Sequence, residues 1–134
     1  MTLDSRILPL VARAAAAADA KKAGDVVVIE VGQVLAITDA FVVASASNTR
    51  LVRSIAEEVE EEVAAAGGPR PLRIEGLDDA RWVLLDYGDF VVHVFLDETR
   101  RYYDLERLWS DAPRVQWQDE AAARPATVGG GDGT

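Results

Sequence analysis

An α/β domain, a five-stranded mixed β-sheet flanked by helices, is the fold class this sequence predicts, and three observations carry it. An alanine-rich segment with helical periodicity opens the chain. Runs of β-branched residues follow, separated by a second, longer helix-period stretch. Two further β-rich runs then lie close together around Gly88-Asp89. With 134 residues and no internal repeat, one domain with one core is expected.

Leu3, Ile7, Leu10, Val11, Ala14, Ala15 and Ala18 recur at helical spacing, which predicts a helix ending near Lys22. Lys21 and Lys22 suit its C-terminal dipole, and Gly24 is placed to stop it. Pro9 belongs either to the first turn or to a kink. In DVVVIEV, five of the six residues after Asp25 are β-branched aliphatics, as in a strand covered on both faces, with Glu30 at an edge or an end. Gly32-Gln33 turns the chain, residues 34–37 form a short extended piece, and residues 40–46 form the second strand.

Ser47 or Asn48 then caps a long helix. Its stripe is Val52, Ile55, Val59 and Val63, and Glu57, Glu58, Glu60, Glu61 and Glu62 make a solvated side. Gly67-Gly68-Pro69 ends it, and residues 72–75 form a third strand. A strand–helix–strand run with short connections implies a right-handed crossover and a parallel pair.

The runs 82–87 and 90–96 read as a β-hairpin closed by Gly88-Asp89, with glycine at the first central position of a type II′ turn. That register sets Tyr87 opposite Phe90, Leu85 opposite Val92 and Val83 opposite Val94, an apolar core face. The other face carries Trp82, Leu84, Asp86, Val91, His93 and Phe95, too polar for plain core and too apolar for plain surface. It is the expected docking face. Beyond it, DETRRYYDLERLW is helical as two short pieces, with Tyr102, Leu105, Leu108 and Trp109 on the side that folds onto the sheet. Pro113 ends that run, and Trp117 anchors a last extended segment. The domain is expected to span residues 1–118, with 119–134 a disordered tail rich in Ala and Gly.

Charge and composition narrow the function. A net charge of −9 repels phosphate backbones and suits a basic protein surface. Zero cysteines exclude a disulfide scaffold, a thiol nucleophile and a thiolate metal site, and they fit a reducing cytosol. A single histidine excludes a histidine-rich metal site within one chain. No apolar run approaches the length of a membrane span, and residues 7–18 lack the basic run that opens a signal peptide.

No glycine-rich phosphate loop is present, because Gly67-Gly68 follows a helix instead of opening one. Ser45 and Ser47 lie where a strand enters a helix but without a Gly-x-Ser-x-Gly elbow, so capping accounts for them. His93 with Asp86 lacks a nucleophile placed by sequence. Asp39, Asp86 and Asp89 near strand ends are the candidates for a magnesium-dependent nucleotidyltransferase, the alternative enzymatic reading. A homodimeric adaptor is the other alternative. Binding without catalysis, cofactor or metal is the expectation.

The ordered set DVVVIEV, ITDAFVVASASNTRLVRSIAEEVEEE, PLRIEG, WVLLDYGDFVVHVF and YYDLERLW resembles the ribosomal silencing factor family, the Iojap-like ribosome-associated proteins, over roughly residues 19–113. The resemblance implies a nucleotidyltransferase-like core without that superfamily's catalytic set. It also implies a cytoplasmic translational repressor, homodimeric when free. Such a factor binds the large ribosomal subunit through the basic ribosomal protein L-fourteen and keeps the small subunit from joining. Trp82, Leu84, Asp86 and His93 stand at matching motif positions, and with Tyr87 and Phe95 of the same hairpin they are the expected partner-binding residues. Ala46 stands where the family usually has glycine, and Leu51 where it often has His or Gln.

Overall fold

The structure, a computed structural model, describes residues 3–33 and 35–123. Five strands form one mixed sheet: β1 (Gly24–Glu30), β2 (Ala40–Ala46), β3 (Arg73–Glu75), β4 (Trp82–Asp86) and β5 (Phe90–Leu96), in the order β1-β2-β5-β4-β3. Only β2 and β5 are parallel neighbours, and the other pairs are antiparallel. The expected parallel pairing of the second and third strands is therefore corrected. β3 runs in the same direction as β2, but β5 and β4 lie between them. Burial explains the choice. β5 offers seven residues, mostly sealed, and fits the sheet centre, whereas all three residues of β3 are exposed and suit only an edge.

The hairpin has the expected register. Leu85 faces Val92, Val83 faces Val94, and the Tyr87 N–H donates to the Phe90 carbonyl at 2.9 Å. Gly88 has φ +85°, whereas Asp89 does not enter the left-handed region, the pattern of a type II′ turn.

One face of the sheet is covered by α1 (Leu8–Ala20), α2 (Thr49–Ala65) and α5 (Trp117–Ala123). Pro9 lies in the first turn of α1, so no kink is needed. Alanines at 12, 14, 15, 17 and 18 are buried, which lets α1 approach the strands closely. The helix ends at Lys21 with Lys22 at φ +66°. Gly24, expected to stop it, instead opens β1. Asn48 is the cap of α2, its side chain accepting the Leu51 N–H at 2.8 Å, and Val52, Ile55, Val59 and Val63 are buried as expected.

On the opposite face α3 (Asp97–Tyr103) and α4 (Leu105–Leu108) form two short pieces, broken at Asp104 with φ +49°. Only part of the expected side folds back. Leu105 and Trp109 pack on Ile29, Val31, Val43 and Phe95, whereas Tyr102 and Leu108 point to water at 81% and 72% exposure. No strand forms over 35–37, and Val34 lies outside the described residues.

The end of the domain also differs from expectation. Trp117 is buried, its indole N–H donating to the Val26 carbonyl at 3.2 Å, and it begins α5 instead of an extended segment. Residues 119–123, expected in a disordered tail, are helical against α1, and residues 124–134 lie outside the described residues. The extended piece is the stretch before Trp117. There the Glu30 N–H donates to the Pro113 carbonyl, the Val115 N–H to Val28, and Arg114 bridges Ile29 along the outer edge of β1.

Candidate functional site

The second face is where strand alternation puts Trp82, Leu84 and Asp86 of β4 beside Val91, His93 and Phe95 of β5 and Phe41, Val43 and Ser45 of β2. α3, α4 and residues 109–112 cover the β1–β2 end. Trp82, Leu84, Asp86, Val91 and Phe41 remain partly open, and Arg73 and Glu75 of β3 continue the face to its edge. The uncovered half is an apolar strip bordered by charge.

Aromatic rings knit the covered and open halves together. Phe41 meets Trp109 at 5.8 Å and His93 at 4.6 Å between centroids, both edge-on, and Trp82 packs on Phe95 at 4.9 Å and Tyr103 at 4.7 Å. The Trp82 indole N–H donates to His93 Nδ1 at 3.1 Å, so a neutral imidazole there carries its proton on Nε2. Burial lowers the His93 pKa to about 4, and its Nε2 is sealed with no hydrogen-bond partner. At neutral pH this histidine is an uncharged support for Trp82, poorly suited to general-base work.

Six residues carried the expectation of partner contact, and the structure separates them. Trp82, Leu84 and Asp86 are partly open on the second face. His93 and Phe95 share that face but are buried, at 5% and 0% exposure, so they act from beneath. Tyr87 is corrected. It points to the helix-covered face, stacks on Phe90 at 4.6 Å, and has a buried hydroxyl without a partner, which pushes its pKa up. Its position follows from strand alternation, which puts odd-numbered residues of β4 toward α1 and α2.

Asp86 is engaged within the chain. One carboxylate oxygen accepts the Gly88 N–H at 2.8 Å, and the other meets Arg73 at 3.2 Å. Asp39, Asp86 and Asp89 do not converge, and among the described residues no three His, Asp or Glu side chains form a metal-holding group.

Arg100 was missed. Its guanidinium is buried and donates to the Gly24 and Asp25 carbonyls, to Ser45 Oγ at 2.9 Å and to Glu106 at 2.7 Å, pinning α3 across the ends of β1 and β2. Within ETRRYYDLER nothing distinguishes it from its charged neighbours. Phe41 was also missed as a face residue, although alternation through AFVVASA with Phe41, Val43 and Ser45 on one side could have found it.

The model of the family described as ribosomal silencing factor during starvation matches residues 4–129. The chain belongs to the ribosomal silencing factor family. The factor RsfS of Bacillus subtilis is 42% identical over 100 residues, covering 75% of this chain and 84% of that protein. The RsfS of Halalkalibacterium halodurans is 44% identical over 100 residues, covering 75% and 85%. A crystal structure of a Chromobacterium violaceum protein superposes with a TM-score of 0.73 at 30% identity, covering 81% of this chain and 88% of that one. The match of this silencing-factor chain reaches beyond Trp117 into the segment first read as a tail.

Proposed function

We propose that the chain is a non-enzymatic, cytoplasmic repressor of translation. In this reading it binds the large ribosomal subunit through the basic ribosomal protein L-fourteen and keeps the small subunit off by occlusion. The observation that carries the reading is the half-covered second face, where a central sheet surface keeps Leu84, Val91 and part of Trp82 in water beside Asp86. A sheet face left apolar and open has the character of a docking surface. The chain's charge of −9 favours a basic partner and speeds encounter with it. Family membership supports the ribosome as the setting. Trp82 and Leu84 supply apolar contact, and the Asp86–Arg73–Glu75 cluster, with one net negative charge, sets register.

The free protein's homodimer is proposed to use the same face, so dimerisation and subunit binding compete. Sedimentation at rising protein concentration, with and without purified partner, shows that competition as loss of dimer. The decisive variant is Leu84→Lys, which places a cation on the open strip without entering the core. Co-sedimentation with purified large subunits is expected to fall by tenfold or more. Undiminished binding by a folded Leu84→Lys protein overturns the site.

A further inference from the structure

Where the second face runs out toward α3, an open depression of about 430 Å³ is lined by Arg81, Trp82, Glu98, Thr99, Tyr102 and Tyr103. Two tyrosine rings stand nearly perpendicular, 5.0 Å apart at 86°, and Tyr103 continues onto Trp82 at 4.7 Å. Tyr102 is 81% and Tyr103 50% exposed, so Tyr103 packs one side on Trp82 while the Tyr102 ring lies largely in water. α3 is held from its other side, by Arg100. The Glu98 carboxylate, also exposed, makes no side-chain hydrogen bond or ion pair among the described residues.

Aromatic faces carry negative quadrupole potential and attract cations, and a free carboxylate beside them adds a charged acceptor. A guanidinium fits this pair better than an ammonium, because its plane stacks on a ring while its fork reaches the carboxylate. Arg81 on the rim carries the same charge as a guanidinium and weakens its hold. We infer that the depression between Trp82, Tyr102, Tyr103 and Glu98 is a pocket for an arginine side chain of a basic protein partner. The inference rests on reading the second face as the docking face, which it extends past Trp82 onto α3. It names the partner's anchor.

The test uses the full chain, with acetylated tri-arginine amide as probe and the tri-lysine peptide as comparison, followed by amide and indole NMR shifts at low salt. Shifts are expected at the Trp82 indole and across residues 98–103, with the arginine peptide at least threefold tighter. Tyr102→Ala and Glu98→Gln, both at exposed positions, are each expected to weaken it about two- to fivefold, and Arg81→Ala to strengthen it. Shifts confined to the acidic side of α2, equal affinity for both peptides, or indifference to Tyr102→Ala and Glu98→Gln each overturn the pocket.

Large-subunit co-sedimentation separates the two proposals. Loss with Leu84→Lys but not with Tyr102→Ala removes the pocket from the interface and leaves the occlusion reading standing. Arginine-peptide binding at the pocket by a protein that ignores large subunits overturns the occlusion reading and keeps the pocket.

Discussion

On the side of the hairpin that meets α1 and α2, Val83, Leu85, Phe90, Val92 and Val94 are sealed at 0–1% exposure, whereas on the other side Trp82, Leu84, Asp86 and Val91 keep surface in water. The first side is closed with aliphatic and aromatic groups, with polar tips at Tyr87 and at Trp117, whose indole N–H bonds the Val26 carbonyl. The second side admits His93, Ser45, Asp86 and Arg100, each of which must find partners where the helices only half cover it. Apolar burial therefore dominates one face of β4 and β5, and the proposed docking belongs to the other. The same two strands serve both because their side chains alternate.

Substitutions can break or sharpen that contrast. The largest effect is expected from Arg100→Ala. It leaves Ser45, Glu106 and two carbonyls without their donor, and removing one partner of a buried pair costs about 3–5 kcal/mol, read as a fall in the urea midpoint. Leu85→Ala on the sealed side is expected to cost about 2–5 kcal/mol by the same measurement. Leu84→Ala, one residue away but partly exposed, should cost about 1 kcal/mol. Equal losses at 84 and 85 would erase the distinction between the faces.

The next effect is a pH dependence. His93 has a folded pKa of about 4, below the ordinary 6.5, so the unfolded chain takes up a proton that the folded chain refuses. The contribution of neutral His93 is complete above pH 6.5 and is lost as pH falls toward 4. That amounts to about 2 kcal/mol by pH 5. Urea midpoints at pH 7 and pH 5 should diverge in the parent and converge in His93→Leu. The smallest effect is expected from Asp86→Asn. It keeps an acceptor for the Gly88 N–H and weakens only the exposed Arg73 pairing, so about 1 kcal/mol or less is lost.

The hairpin register was legible because a two-residue turn and a period of two leave one solution that buries Val83, Leu85, Val92 and Val94 together. The half-open face was legible for the same reason. Strand order was not, since which strand lies beside β2 depends on long-range burial that β5 wins over β3. The exposure of Tyr102 and Leu108 was misjudged because a seven-residue helix broken at Asp104 changes direction, and periodicity does not carry across the break. Arg100 was invisible because, apart from Glu106, its partners are backbone carbonyls more than seventy residues upstream and a serine 55 residues upstream.

The strip from Pro113 to Val115 has a consequence for solubility. By bonding to Val28 and Glu30 it blocks the outer rim of β1, which would otherwise offer unpaired amides beside buried valines. The opposite rim is a three-residue strand bearing Arg73 and Glu75, too short and too charged to template growth. A chain shortened to end at residue 112 would lose that guard and is expected to self-associate into β-rich aggregates, detectable by light scattering and thioflavin fluorescence.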